Sequence, residues 1–547
     1  MKKLEGLKNE IDNLFKKNGL NENIEFLISN VEEYDLQINN LVKHQNSQNT
    51  DYISSELKKI LNSNEIISNF EITKNYFINL ELNMTCFISY FKEIENNIKI
   101  DIPKKIIFDY GGPNIGKPLH VGHLRSLNIG RSLYEINKIA GNSVVSDIHL
   151  GDWGMPISQI LTYCEINDMS PHDLDINELV EIYPQASSLY ETSKTFSEKA
   201  LNINKLLNNN DVNYINQWKA IKKISIYSIK ETLNKLGHDF DLWLGESDVN
   251  KLIPSMLNDL KEKNKISEDD GALISNQDTD PKILITKSDG SYLYLTTDLA
   301  TILNRIDGTD FDKILYVVDG RQSLHFKQLF MSAEYFEFEN KKYEHVSFGT
   351  INDSEGRPLK TREGGTKSLN ELYEETFKYL RTINKNLSES DTDKLVNTVV
   401  TYSDLITNRK TDYKFDLERF TSFNGKTGIY VQYALVRAKK LLLNSNLDIN
   451  NLKIETEKLD VNDTNLIRGL FKFESYFEQA LKNSEPHHLA EYLYEISNLF
   501  NSVYQNENII KNVDEVIKVN KLIITSYFIK YSELLFRSLG LTTVEKM

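Results

Sequence analysis

Residues 106–150 read IIFDYGGPNIGKPLHVGHLRSLNIGRSLYEINKIAGNSVVSDIHL, and this stretch decides the fold of the region around it. The run IIFDY is short, apolar and partly β-branched, which predicts a buried strand, and VVSDIHL predicts a second one. Between them lies the turn-rich GGPNIGKP, followed by apolar residues at helical spacing and a capping glycine: Leu124, Leu127, Leu133, Ile136, Ala140 and Gly141. Strand, turn, helix and strand within about 45 residues form a βαβ unit, so we expect a parallel sheet with a right-handed crossover.

The pattern of the remaining sequence predicts three domains. Residues 1–100 combine a helical stripe with period-two runs such as FEITKNYFINLEL, which predicts a small α+β domain. Residues 101–420 contain the βαβ unit, a buried strand ILYVVDG, and PKILITKSDGSYLYLTTDLA, which predicts two strands around Asp289 and Gly290. Residues 421–547 contain three amphipathic stretches, so we expect an all-α helical bundle there and a multidomain α/β fold for the chain.

Composition excludes several classes of protein. A chain of 547 residues exceeds the size of one compact core, and its 28 tyrosines and 25 phenylalanines argue against disorder. No stretch approaches 18 apolar residues, and MKKLEGLKNEIDNLFKK lacks the pattern of a signal peptide, so we expect no membrane span. The two cysteines, Cys86 and Cys164, provide no disulfide framework, which favours a cytoplasmic location.

The formal net charge is −15, from 64 Lys+Arg against 79 Asp+Glu. Phosphate binding depends on Lys and Arg, so this total argues against a uniformly basic nucleic-acid binder. Net charge is informative about solubility and non-specific binding, and it leaves local positive tracks possible.

The paired histidines His120 and His123 are the first candidates for chemistry. Among 10 histidines, a His-x-x-His pair arises by chance roughly 0.2 times, so the spacing alone also allows a surface pair or half of a metal site. No Cys or Glu follows at zinc-ligand spacing, so we expect no structural metal. The pair lies after a strand and at the first turn of a helix, where backbone N–H groups favour phosphate, and Gly122 leaves room for a nucleotide. Both imidazoles and Lys117 can then donate hydrogen bonds to the negative charge that builds on a phosphoryl group in the transition state.

Seven ordered segments make the chain similar to a known family. PNIGKPLHVGHLRS resembles the arginyl-tRNA synthetase version of the HIGH motif of class I aminoacyl-tRNA synthetases. The other segments follow in the family's order: HLGDWG, SYLYLTTDLA, VVDGRQSLHFKQLF, GRPLKTREGG, FDLERFTSFNGKTGIYVQYALVRA and GLTTVEKM. The resemblance spans residues from about 105 to 547 and implies a Rossmann-type catalytic domain over 101–420 and an anticodon-binding domain over 421–547.

The resemblance implies an arginine pocket and an ATP site. A guanidinium needs carboxylates and polar acceptors on rigid elements, and the residues at the family's pocket positions are Asp109, Asn114, Tyr294, Asp298 and Gln322. ATP binding is implied for His120, Gly122, His123 and Lys360. Most class I synthetases have a KMSKS loop, whereas the equivalent segment here is RPLKTR, so Lys360 has no second lysine beside it and Lys117 is expected to replace that charge.

The implied reaction is arginine activation by ATP with Mg²⁺, followed by transfer to tRNA(Arg), and it needs no covalent enzyme intermediate. The family also implies that activation requires bound tRNA and suggests a monomer. In the last domain, YVQYALVR suggests tRNA binding by Tyr430, Gln432, Tyr433 and Arg437. Helix packing is an equally good explanation of these four residues. Residues 1–100 are expected to touch the tRNA corner, an expectation that rests on their position in the chain.

Three alternatives differ in what they need from the sequence. A synthetase for an apolar amino acid would leave Asp109 and Asp298 buried without a cation, at a high cost. A non-catalytic tRNA-binding regulator predicts the loss of HVGH or of the pocket residues, which are present. A small-molecule adenylyltransferase would use His-x-x-His without a helical tRNA-binding domain. An arginine–tRNA ligase is therefore the leading hypothesis.

Overall fold

The structure is a computed structural model that describes residues 2–45, 49–91, 93–288, 290–338, 341–353, 355–357, 367–449, 452–505 and 509–547. Lys360, predicted above to bind ATP, lies outside the described residues, as does Asp289. No helix in these ranges is both long and apolar enough to cross a membrane.

The first domain is an antiparallel sheet covered by helices. The strands are arranged in the order β1-β2-β4-β3, and their inward residues include Ile38, Ile78 and Leu80. This arrangement agrees with the predicted α+β domain. The elements are α1 (Lys2–Lys17), β1 (Leu27–Ile28), β2 (Leu36–Ile38), α2 (Thr50–Ser63), β3 (Ile67–Ile72), β4 (Ile78–Leu82), α3 (Met84–Phe91) and α4 (Ile94–Asn97).

A four-stranded parallel sheet, β11-β10-β5-β6, forms the centre of the second region. Its elements begin with β5 (Lys105–Tyr110), α5 (Val121–Ala140) and β6 (Ser143–Asp147), which confirms the predicted strand–helix–strand unit. Gly141 ends α5 with φ 102°, a left-handed conformation suited to glycine. In the register of β5 and β6, Asp109 lies opposite Asp147, at the carboxyl edge of the sheet.

Helices and a small sheet extend the region between β6 and β10. They are α6 (Met155–Ile166), α7 (Ile176–Thr192), α8 (Lys194–Asn208), α9 (Val212–Lys235), α10 (Glu246–Val249), α11 (Ile253–Glu262), β7 (Ile266–Asp269), β8 (Ala272–Ser275), β9 (Leu284–Thr286) and α12 (Tyr294–Gly308). The region continues with β10 (Lys313–Val317), α13 (Ser323–Tyr335), β11 (Lys342–His345), β12 (Ile351–Asn352), α14 (Leu369–Ile383), α15 (Glu389–Leu405), β13 (Tyr413–Lys414) and α16 (Leu417–Phe420).

The predicted strand pair around Asp289 and Gly290 is only half correct. β9 forms, and Thr286 makes a single antiparallel bridge with Tyr292, but the chain then enters α12 at Tyr294. The reason is that Leu295, Leu299 and Ile302 recur at helical spacing and are all buried.

The last domain is the expected helical bundle. Its helices are α17 (Gly428–Ser445), α18 (Val461–Phe471), α19 (Phe473–Asn483), α20 (His487–Gln505) and α21 (Glu515–Ser538). The first of the three predicted amphipathic stretches is two helices, because the chain breaks at Lys472. The first domain packs against this bundle: Tyr90 donates to Glu474 at 2.6 Å, and Arg468 pairs with Asp35 and Glu81.

Candidate active site

The two histidines of HVGH cap the amino end of α5 with their own rings. Nδ1 of His120 accepts a hydrogen bond from the Gly122 N–H at 3.1 Å, and Nδ1 of His123 lies 3.1 Å from the His120 backbone nitrogen. A backbone N–H only donates, so Nδ1 of His120 is an acceptor and its Nε2 carries the proton. Nδ1 of His123 also lies 3.2 Å from the His120 carbonyl oxygen, so its two backbone contacts require opposite tautomers. The helix end therefore presents the Nε2–H of His120 as a donor, with the ring of His123 beside it.

Both imidazoles are neutral at pH 7. Burial, together with the charge of His120 and Lys117, lowers the pKa of His123 to about 3. Burial and Lys117 also lower the pKa of His120 from its ordinary value. The histidines can therefore stabilise a phosphoryl group by hydrogen bonding, and Lys117 is the nearby permanent charge.

Gly122 is predicted to leave room for a nucleotide, and the structure adds a second reason for a glycine at this position. A Cβ at this position would lie 2.8 Å from the His120 ring, so a larger residue would displace the capping histidine. The glycine therefore keeps the His120 ring against the helix end.

The segment that follows the GRPLKTREGG loop is attached beside the histidines. The Val121 N–H donates to the Lys367 carbonyl at 3.0 Å, and the Leu369 N–H donates to the Leu119 carbonyl at 2.9 Å. Lys360 is seven residues before Lys367 in the sequence.

A second cluster lies on α10, α12 and α13. Asp298 on α12 accepts a 2.6 Å hydrogen bond from Nε2 of His325 on α13. Tyr294, one turn before Asp298, has most of its surface exposed, and burial of the hydroxyl with the charges of Glu246 and Asp298 raises its pKa. Gln322, just before α13, is exposed.

Glu246, which sequence reasoning missed, belongs to the same cluster. It is the first residue of α10, and burial, reinforced by Asp152 and Asp298, raises its pKa to about 7. The charge of His149 and a hydrogen bond from the Trp153 backbone oppose this rise only in part, so a carboxylate that lies near Asp298 favours a cationic ligand. The surrounding LGESDV matches none of the seven motifs, so only the structure reveals it.

The amino end of α5 lies next to the cluster on α10, α12 and α13. Nζ of Lys117 lies 4.1 Å from the centre of the Tyr183 ring. Tyr183 in turn is one of the groups whose charge raises the pKa of Tyr294. Asn114 lies in the turn before α5, where a Cβ on Gly151 would meet its Oδ1 at 2.0 Å, so Gly151 leaves room for the amide.

Asp109 has a partner within the chain. Its Oδ2 lies 2.6 Å from Nη2 of Arg305, which also lies 2.6 Å from Oδ2 of Asp147. Burial would raise the pKa of Asp147, but the nearby His149 and the charge of Arg305 hold it below its ordinary value. Asp109 therefore already pairs with a cation of the chain through Oδ2, and its contact with substrate arginine stays a prediction.

The residues predicted to bind tRNA lie on α17 and face different ways. Gln432 is fully buried, and its amide bonds to the backbone of Thr542 and Val544, so it packs the carboxyl-terminal segment. Tyr430 is half-buried, with its hydroxyl 2.5 Å from Oδ1 of Asn498. These contacts agree with the helix-packing alternative for both residues.

Tyr433 and Arg437 belong to a half-exposed patch, which we call the aromatic–arginine patch. The Arg437 guanidinium lies 4.0 Å above the Tyr433 ring and 5.2 Å from the Tyr504 ring, and Phe423 contacts Tyr433 edge-on. Such a patch offers aromatic faces and a cation to unstacked bases.

Two groups of possible metal ligands occur within the described part of the chain: Glu485, His487 and His488; Asp109, Asp147 and His149. The first lies at the amino end of α20, where the helix dipole and the nearby Lys410 both disfavour a cation. The second already surrounds Arg305. Neither set of donors favours a bound metal ion.

Comparison with known proteins agrees with this arrangement. Residues 90–417 match the model of the tRNA synthetases class I (R) catalytic domain, and residues 431–547 match the DALR anticodon binding domain. The chain is 36% identical over 530 residues to the arginine–tRNA ligase of Francisella tularensis subsp. tularensis (strain SCHU S4 / Schu 4), covering 90% of each protein. It is 35% identical over 513 residues to that of Agathobacter rectalis, covering 85% of this chain and 86% of the relative.

Solved structures share the fold over almost the whole chain. Arginyl-tRNA synthetase from Plasmodium falciparum has a TM-score of 0.81 at 24% identity, covering 99% of each chain. The Thermus thermophilus arginyl-tRNA synthetase has a TM-score of 0.80 at 19% identity, covering 99% of this chain and 100% of that one. Together with the matching family model and relatives, the HVGH segment that caps α5, the parallel sheet and the helical bundle define a class I aminoacyl-tRNA synthetase. Within that class, the chain belongs to the arginyl-tRNA synthetase family.

Proposed function

We propose that this chain is an arginine–tRNA ligase that uses the two adjoining clusters as its ATP and arginine sites. L-arginine reacts with ATP to form arginyl-adenylate and pyrophosphate, and the arginyl group then passes to the 3′-terminal adenosine of tRNA(Arg) with release of AMP. The observation that supports this most directly is the short chain of contacts from Lys117 through Tyr183 to Tyr294, which lies beside the carboxylates of the second cluster.

The arginine pocket consists of Asp298 and Glu246 as guanidinium acceptors, with Tyr294 at its rim. Two carboxylates suit a planar cation with five N–H donors, whereas an apolar side chain would leave both uncompensated. Asn114 and Gln322 complete the pocket with amide groups for the polar end of the amino acid. Asp109 supports the pocket from below through its contact with Arg305.

ATP enters as its Mg²⁺ complex and lies at the amino end of α5. His120 and His123 donate from Nε2 to the phosphates, Gly122 allows close approach, and Lys117 and Lys360 supply positive charge. An arginine carboxylate oxygen attacks the α-phosphorus in line, and the bond to pyrophosphate breaks. Positioning and charge stabilisation account for the acceleration, so no enzyme nucleophile is needed.

The adenylate then reacts with tRNA. The 2′-hydroxyl of the terminal ribose, by analogy with class I synthetases, attacks the arginyl carbonyl carbon, and AMP leaves. The aromatic–arginine patch receives anticodon bases through Tyr433 and Arg437, with Tyr430 and Gln432 supporting α17 from inside.

The chain has three domains: residues 1–100, which contact the tRNA corner, residues 101–420, which carry the catalytic site, and residues 421–547, which bind the anticodon. The enzyme acts as a cytoplasmic monomer.

Aminoacylation of bulk tRNA with each of the twenty amino acids tests this function. Charging with arginine alone is the expected result. Charging with another amino acid would move the chain to a different specificity, and adenylation of a small molecule without any tRNA charging would refute the ligase assignment. Pyrophosphate exchange with and without tRNA tests whether activation needs tRNA; a full rate without tRNA would contradict that dependence.

A further inference from the structure

Helix α12 connects the arginine pocket to the edge of the parallel sheet. Asp298 and Arg305 lie about two turns apart, so their side chains leave the same face of the helix. Asp298 reaches the pocket and His325, whereas the Arg305 side chain is only 2% exposed. The place of Asp298 therefore depends on how Arg305 is held.

A single guanidinium contacts three neighbouring strands. Nη2 of Arg305 lies 2.6 Å from the carboxylates of both Asp109 on β5 and Asp147 on β6. Nη1 lies 3.4 Å from the Tyr316 hydroxyl on β10. Directional, charge-assisted hydrogen bonds to three strands specify the depth and rotation of α12 more narrowly than apolar packing does.

The same guanidinium is the main counter-charge at this place. Asp109 and Asp147 are register partners, so both carboxylates converge. His149 also lies here: its Nδ1 is 3.7 Å from Oδ2 of Asp147, and its ring nitrogens have no hydrogen-bond partner among the described residues. Two converging buried carboxylates without Arg305 would repel each other and displace the chain around them.

We propose that Arg305 is a positioning residue for the arginine pocket: held by Asp109 and Asp147, it keeps α12 where Asp298 and Tyr294 receive the substrate guanidinium. This inference rests on the proposed arginine–tRNA ligase function.

Arg305→Ala, assayed by aminoacylation with and without millimolar methylguanidinium, tests the inference. The KM for arginine should rise about tenfold or more while the KM for ATP stays unchanged, because α12 moves and α5 does not. Methylguanidinium should restore the KM for arginine, since the ion fits between the two carboxylates. Arg305→Lys keeps the charge without the fork, so it should raise the KM for arginine by a smaller factor.

Arg468→Ala is the matched control, because it also removes an arginine that pairs with two carboxylates, but in the contact between the first and last domains. Methylguanidinium should give it no gain in the KM for arginine. An unchanged KM for arginine in Arg305→Ala, or in Arg305→Lys if the alanine variant does not fold, would overturn the inference. Equal losses towards arginine and ATP without rescue would also overturn it, since a merely structural role predicts them. Wild-type enzyme that fails to charge tRNA with arginine would refute the proposed function instead.

Discussion

At the scale of single residues, Glu246 is the carboxylate of the proposed pocket that changes its protonation near neutral pH. Asp298 accepts a hydrogen bond from His325, whereas burial, with Asp152 and Asp298 nearby, raises the pKa of Glu246 to about 7. The substrate guanidinium stays protonated at all relevant pH values, so it binds the ionised form of Glu246. Arginine should therefore bind less tightly as the pH falls below about 7 and Glu246 takes up a proton.

This pH dependence can be measured as the KM for arginine between about pH 8 and about pH 6. Because one proton is taken up, the KM should rise by up to about tenfold for each unit by which the pH falls. Glu246→Gln should have a higher KM at the upper pH and lose the dependence, while the KM for ATP serves as the internal control. A wild-type KM for arginine that is flat over the whole range would remove Glu246 from the pocket.

His123→Ala should depress adenylate formation by about 10²–10³, or about 2.7–4 kcal/mol, the usual loss for one preorganised donor. Its tRNA affinity, measured by filter binding, should change little. The exposed His172→Ala is the control and should behave as wild type. Equal losses in adenylate formation and tRNA binding would indicate misfolding and argue against a direct chemical role.

Sequence reasoning reaches residues of this kind only where a motif surrounds them. It identifies His120 and His123 at a helix start, and the structure shows them there. It misses Glu246, since burial and the neighbouring charges come from α12 and from Asp152. It includes Gln432 among the tRNA-binding residues, because helical spacing does not tell which face of α17 packs against the carboxyl-terminal segment.

At the scale of elements, Gly130 sets the distance between α5 and β5. A Cβ at this position would lie 2.2 Å from the Tyr110 ring, so the helix would have to move away from the strand. Gly130→Ala should therefore destabilise the catalytic domain by about 1–3 kcal/mol and lower the turnover number, because α5 positions both histidines. Thermal unfolding and aminoacylation measure the two effects.

Gly6→Ala on α1 is the matched control for this substitution. No atom lies within 4 Å of a Cβ built on Gly6, so the change should be neutral or stabilising by about 0.5–1 kcal/mol, as for glycine in a helix interior. A Gly130→Ala variant as stable as Gly6→Ala would show that the strand and helix can separate without cost.

An element is predictable from sequence when its apolar residues follow one period, that of a strand or that of a helix, and it is not when both periods occur in the same segment. α5 has apolar residues only at helical spacing, and β5 and β6 are short buried runs, so the βαβ unit is predicted correctly. SYLYLTTDLA begins with alternating residues, but Leu295, Leu299 and the following Ile302 recur at helical spacing. The segment forms a helix because these three residues make up the buried face of α12.

At the scale of the whole molecule, domain contacts join residues far apart in sequence. Tyr90 and Glu474 are separated by 384 positions and are joined by a 2.6 Å hydrogen bond, and the Phe87 and Phe471 rings pack edge-on at 4.9 Å. Each of these residues looks like an ordinary helix residue in the sequence. Because the first domain is attached to the helical bundle, the two can present one surface to a long ligand such as tRNA.

The net charge of −15 is compatible with tRNA binding only if positive charge is concentrated locally. The aromatic–arginine patch is one such place, with Arg437 half-buried over Tyr433.

Arg437→Ala should weaken tRNA binding by about 1–3 kcal/mol, the usual size of a stacking contact with a base. For both wild type and variant, the Kd should rise with salt, since phosphate contacts release counterions. Filter binding at several salt concentrations measures both effects, with Lys263→Ala, just after α11, as the control for loss of an exposed cation. A wild-type Kd that does not depend on salt would contradict local positive tracks, and an unchanged Kd in Arg437→Ala would place anticodon recognition elsewhere on the bundle.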